Sequence, residues 1–229
     1  MFSLETDNVK TCILSCDVVR DELLASAQAL HVTYPIFWTG SGLHNYPEKL
    51  RESIQALIDE VSGYQRILLA TGFCGDAFCG IASHQAEIII PRTDDCISFL
   101  LGSCAARRQL TQGCGTYFLT AGWLRSDKSI LEEYRHTCKR YGIKRANAVF
   151  KVMFAHYSRI AVIDTGAYDI GPTMAAAGEL AQALGLRCER IDGRDDYLLQ
   201  LLTGPWPEEK FLTLAPGTQL DRDQLMRLY

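Results

Sequence analysis

Cys16, His44, Cys74 and Cys96 are the residues of this 229-residue chain whose types come nearest to one piece of chemistry. Three soft thiolate sulfurs and one borderline imidazole nitrogen match a tetrahedral Zn²⁺ centre in type and number. They lie too far apart in sequence for a compact zinc knuckle, so they can share an ion only if the fold gathers four separate loops. Such an ion could hold a thiol as thiolate for alkyl transfer, or activate water if one coordination position stays open. The plainer reading of each thiol is a small buried hydrophobe, and with nine cysteines some fall near strand ends by accident.

Further polar groups cluster around the same positions. The segment Thr71-Gly72-Phe73-Cys74-Gly75-Asp76-Ala77-Phe78-Cys79-Gly80 joins two thiols, a carboxylate and three glycines. Its glycines let backbone approach a ligand closely, and Asp76 is a candidate for orienting a ligand or charged cofactor. Cys74-x4-Cys79 has neither the spacing of an iron-sulfur motif nor that of a C-x-x-C redox pair. In Pro91-Arg92-Thr93-Asp94-Asp95-Cys96, one aspartate is expected to cap the next helix while the other takes a proton from His44 or fixes Arg92. A helix starting there would also lower the pKa of Cys96. Asp76 and Asp95 are therefore the candidate catalytic carboxylates. Trp123 offers a flat apolar wall for a planar group, with Thr116 or Tyr117 as hydrogen-bond donor, which makes these three the candidate cofactor-binding residues. Cys12, Cys104, Cys138 and Cys188 read as core residues, and His84 as a second-rank neighbour of the thiol loop.

These positions require strands that end just before them. Apolar runs predict strands over 9–15, 35–38, 66–70, 87–90, 116–120, 159–163, 187–191 and 211–214. Helical spacing predicts helices over 19–30, from Pro47 to about Val61, from near Asp94, over 127–141, 145–155 and 173–184, and near 195–202. Strands separated by such helices call for right-handed crossovers and a largely parallel sheet. The expected fold class is therefore α/β, Rossmann-like, with mostly parallel sheet layers flanked by helices and two apposed lobes. Residues 1–142 would form a lobe carrying the thiol positions, and 143–229 a second lobe or a continuation of the first. In such sheets all strands deliver their carboxyl ends to one edge, where ligands gather. The loop Asp164 to Asp169 should then face the first lobe across a crevice.

Composition excludes several classes. Hydrophobic residues are 48% and charged residues 22%, which is ordinary for a folded domain. A net charge of −4 with no basic stripe argues against nucleic acid and against an anionic membrane surface. No run reaches the length of a membrane span, the acidic start lacks the order of a signal peptide, and the expected location is cytoplasmic. Gly40-x-Gly42 lacks the third glycine of a dinucleotide loop, and the phosphate-binding, serine-elbow and His-Glu-x-x-His motifs are missing.

The sequence also resembles the DUF1638 family, a group of α/β proteins from anaerobic bacteria and archaea. The resemblance rests on Cys16, Leu43-His44-Asn45 leading to Pro47-Glu48-Lys49-Leu50, Phe73-Cys74-Gly75, Ile90-Pro91-Arg92 through Asp95-Cys96, and Gly115-Thr116-Tyr117 to Gly122-Trp123. Asp94 stands where many relatives are expected to carry histidine. Some members occur in corrinoid or methyl-transfer settings, which implies such chemistry as an option here. The leading expectation is a metal-binding protein, in its most specific form a zinc-dependent alkyl-transfer enzyme. The alternatives are a non-catalytic accessory protein that binds a corrinoid or other metallocofactor, and a structural α/β interaction protein. An iron-sulfur cluster ranks below zinc. The expected partner is a small molecule or metallocofactor, with a protein partner or a second copy of the chain also open.

Overall fold

The computed structural model describes residues 9–40, 42–43, 46–126 and 128–226. The chain alternates strand and helix: β1 (Thr11–Cys16), α1 (Arg20–Ala29), β2 (Ile36–Thr39), α2 (Pro47–Glu60), β3 (Arg66–Ala70), β4 (Glu87–Pro91), α3 (Cys96–Leu100) and α4 (Cys104–Thr111). There follow β5 (Thr116–Leu119), α5 (Ala121–Leu124), α6 (Ile130–Tyr141), α7 (Ile143–Met153), β6 (Arg159–Asp164), α8 (Ile170–Leu184), β7 (Arg187–Asp192), α9 (Asp196–Thr203), β8 (Phe211–Leu214) and α10 (Arg222–Met226). The fold is α/β with two mostly parallel sheets, as the alternation of periods requires.

The first sheet has the order β2-β1-β3-β4-β8, parallel except for β8, which runs antiparallel to β4. The second is β5-β6-β7, parallel throughout. Sheet membership does not follow one cut of the chain: β5 already belongs to the second sheet, and β8 returns to the first.

Alternate residues of β1 and β3 face opposite layers, as a fully buried parallel strand demands. Cys12, Leu14, Ile67 and Leu69 pack with Leu50, Ile54 and Ile58 of α2. Ile13 and Leu68 pack with Leu23 of α1 and with Leu198 and Leu201 of α9. The helices that flank β1 therefore lie on opposite faces, and the chain reverses its winding direction between β1 and β3. In open parallel sheets that reversal leaves a crevice at the strand carboxyl ends. Phe118, Ala161 and Ile163 of the second sheet join the α1 and α9 cluster, so one continuous apolar layer lies between the sheets. Phe150, Phe154 and Leu180 cover the other face of the second sheet.

One helix expected from near Asp94 is two. Gly102 has φ +82°, which an α-helix cannot contain, and Ser103 restarts the helix by accepting a hydrogen bond from Ala106 N at 3.0 Å. Among the described residues, no helix is long and apolar enough to cross a membrane.

Candidate functional site

Cys16 ends β1, in register with Thr39 of β2. The strand end is locked because Ser15 Oγ donates to the Ala70 carbonyl at 3.1 Å and Thr39 Oγ1 donates to the Ser15 carbonyl at 3.4 Å. Beyond β3 and β4 the two loops remain tied by backbone hydrogen bonds, from Phe73 N to Thr93 O and from Cys74 N to Asp94 O, both 2.9 Å. Cys74 takes the left-handed conformation, φ +47°, which is uncommon for a residue with a side chain. Cys96 opens α3, whose N-cap is Asp95: Asp95 Oδ1 accepts from Ser98 N at 2.9 Å. The other Asp95 oxygen meets Arg107 Nη1 at 2.5 Å, and Asp94 Oδ2 meets the same nitrogen at 3.3 Å.

These loops enclose a cavity of about 390 Å³ whose walls include Cys16, Cys74, Cys96, Asp95, Arg107 and Trp123. Inside it the side chains of Cys16, Cys74 and Cys96 lie close enough to shift one another's ionisation. The interactions with Cys16 and Cys74, joined by the Thr71 hydroxyl at 3.4 Å and the Gly72 N–H, hold Cys96 well below the ordinary thiol range despite its burial. Bonding to Cys96 and then burial push Cys16 and Cys74 the other way, far upward. All nine cysteines are free thiols.

Trp123 reaches the cavity from the second sheet's side, on the short α5. A Cβ at Gly122 would stand 1.8 Å from the Val18 carbonyl oxygen, so only glycine lets α5 press this closely on the segment after Cys16. Val18 and Trp123 also border a second recess, of about 310 Å³, whose walls carry Tyr117, Phe154 and Tyr157. The Tyr117 ring meets Phe154 at 5.0 Å and Tyr157 at 5.5 Å between centroids.

The structure thus brings together Cys16, Cys74, Cys96, Asp95 and Trp123, with Tyr117 one recess away. Three expected members stand differently. Asp76 borders a separate groove beside Tyr46 and lies 3.4 Å from Arg222. Thr116 sits at the opposite, amino-terminal end of its strand, where its hydroxyl accepts from Arg159 Nε at 2.9 Å and donates to the Cys114 carbonyl. His44 lies outside the described residues, although its neighbour Leu43 lines the thiol cavity. The expected Arg92 partner is replaced by Arg107, since Arg92 Nε donates to the Phe211 carbonyl. Cys104 is not a core residue: its thiol donates to Asp94 Oδ1 at 3.4 Å at the rim of the site. Cys12 is fully buried in β1, and burial pushes its thiol up to about 12. His84 is exposed.

Arg107 is the functional candidate that the sequence reading missed. It lies five residues beyond the break at Gly102, about one turn into α4, and its guanidinium meets Asp95. Among the described residues, no group of three or more His, Cys, Asp and Glu forms a set that could hold a metal ion.

A family model described as a protein of unknown function, DUF1638, matches residues 38–202, and the chain belongs to that family. No curated protein and no solved structure matches it.

Proposed function

We propose that the cleft binds Zn²⁺ through Cys16, Cys74 and Cys96, with His44 as the fourth donor, and that the protein uses this centre in alkyl transfer. One observation carries the reading: three cysteines from three neighbouring loops line one cavity at the reversal point of the sheet. The donor chemistry is that of zinc, since cysteines that release their protons become thiolate ligands. The described residues by themselves form no set that holds a metal, so the sulfurs must draw together around the ion. The described walls of the cavity supply three sulfurs and no imidazole, and Leu43, next to His44 in sequence, lines the same cavity.

When bound, the ion would supply Lewis acidity that keeps a thiol ionised for attack on an alkyl carbon. The remaining work falls to this chain's own residues. Asp95 fixes the start of α3 and so the direction of Cys96, and Arg107 closes the wall behind it. Trp123, Val18 and Leu43 give the cavity an apolar lining that keeps bulk water from the sulfurs. A small alkyl donor or acceptor is the expected partner, and a location in the cytoplasm fits a set of reduced thiols.

A second reading keeps the cleft but not the catalysis: an accessory protein that holds a planar metallocofactor, such as a corrinoid. It is favoured by the aromatic recess that adjoins the thiol cavity at Val18 and Trp123.

Elemental analysis of protein purified anaerobically without added metal tests the proposal. About one zinc per chain, lost in Cys74→Ser, supports it. Colourless protein that carries no zinc and takes up none on titration contradicts it, and a visible cofactor spectrum favours the second reading.

A further inference from the structure

Residues 134–163 contain no aspartate or glutamate, yet they carry seven of the chain's 23 lysines and arginines. Two of the seven are neutralised from outside the stretch: Arg135 pairs with Glu132 and Arg159 with Glu189. The others are Lys139 and Arg140 at the end of α6 and Lys144, Arg145 and Lys151 on α7. All five are exposed and have no ion-pair partner among the described residues. A chain-wide charge of −4 averages over this segregation and says nothing against local attraction to an anionic surface.

Apolar side chains crowd into the same stretch. Among the described residues nine large hydrophobic side chains stand exposed, and six of them lie between Tyr141 and Tyr157. On α7 the inward face is taken by Ala146 and Phe150, and Phe150 packs with Phe154 on the second sheet. Val149, Val152 and Met153 follow at three- and four-residue spacing on the outward side, where Val152 is 77% exposed. Ile143, which opens the helix, is 63% exposed. The Tyr141 ring is met by two guanidiniums, Arg140 at 5.3 Å and Arg145 at 5.9 Å from its centroid.

Clustered exposed apolar groups of this kind mark contact with a protein or a membrane. A second copy of the chain is a poor occupant. A two-fold contact sets the same patch against itself, which here brings unpaired cations together with no acid between them. Nucleic acid would engage the cations and leave the valines in water. An anionic bilayer meets both groups: its headgroups attract the cations, its acyl boundary takes the aliphatic tips, and its surface conforms to a protruding ridge. Lys and Arg stems can lie along apolar surface while their charges stay among the headgroups. α7 has 11 residues, against about 20 needed to cross a bilayer, so it would lie along the surface.

We infer that the outward face of α7, with the adjoining end of α6, docks this protein on an anionic lipid surface. Ile143, Val149 and Val152 reach the acyl boundary, and the five unpaired cations sit at the phosphates. Nothing in this face depends on the thiol cleft or on zinc.

Flotation of the full chain with vesicles of phosphatidylcholine and phosphatidylglycerol, in a ratio of about two to one, tests the inference beside vesicles of phosphatidylcholine alone. The expected result is binding at least about tenfold tighter to the anionic vesicles, weakened at least about tenfold at roughly 0.5 M salt. Val149→Ser with Val152→Ser should lose about five- to tenfold at constant salt. Lys144→Gln with Lys151→Gln should lose at least about tenfold and flatten the salt dependence. All four positions are exposed, so circular dichroism should show an unchanged fold. Absence of binding to the anionic vesicles, or binding unchanged in the valine variant, would overturn the inference. Preferential binding to a short DNA duplex offered in competition, or self-association that the valine variant abolishes, would overturn it as well.

Discussion

Gly72 lies so close to the backbone of Asp95 that a Cβ on it would come within 2.2 Å of the Asp95 carbonyl carbon. This contact presses the loop after β3 onto the loop after β4 and sets Cys74 beside Cys96. Real Cβ atoms do not occupy such a position, so Gly72→Ala must push the loops apart. The expected cost is about 2–4 kcal/mol of stability, measured by urea denaturation, together with lower zinc uptake. A change within about 0.5 kcal/mol, with zinc uptake intact, would show that the contact does not hold the thiols together.

Asp95 has two separable duties, since one oxygen caps α3 and the other meets Arg107. Asparagine keeps the cap and loses the ion pair, whereas alanine loses both. Asp95→Ala should therefore cost about 1–2 kcal/mol, with Asp95→Asn retaining at least half of that. Thermal or urea unfolding of the two variants separates the duties, and equal losses would assign the stabilisation to the ion pair instead of the cap.

Glu22 gives a pH dependence with a definite sign. Burial raises its carboxyl from 4.5 to about 7, so the folded chain holds a proton that the unfolded chain has already released. Stability contributed by this group is complete below about 4.5 and falls as pH rises to about 7, then levels off. Glu22→Gln cannot ionise, so it should gain on the parent as pH rises from 5 to 8, by roughly 2–3 kcal/mol at most. A stability difference between parent and variant that stays flat over that range would mean that Glu22 ionises normally.

Much of the architecture was legible because the central strands β1, β3 and β4 are almost wholly buried apolar runs. The segments 66–70 and 211–214 match β3 and β8 to the residue, and Pro47 begins α2 as its fixed φ favours. Pairing across long sequence distances was not legible. Nothing local in Thr116–Leu119 announces that this strand joins β6 instead of β4, or that Phe211–Leu214 turns back against β4. For the site, the strand-end argument placed Cys16, Cys74, Cys96 and Asp95 on one edge, where they line a single cavity. The same argument carried Asp76 too far, because the left-handed Cys74 reverses the chain just before it and sends its carboxylate into the groove beside Tyr46. It set Thr116 at the wrong end of its own strand. Arg107 and Cys104 came from beyond the break at Gly102, which a helical hydrophobic pattern does not reveal.

The central claim is that three sulfurs and one imidazole share an ion, and zinc K-edge X-ray absorption on the loaded protein reads those neighbours directly. The expected spectrum shows three sulfur neighbours at roughly 2.3 Å and one nitrogen at roughly 2.0 Å, falling to two sulfurs in Cys74→Ala. A first shell of oxygen and nitrogen alone, or one unchanged by that substitution, would place any bound zinc elsewhere and contradict the account.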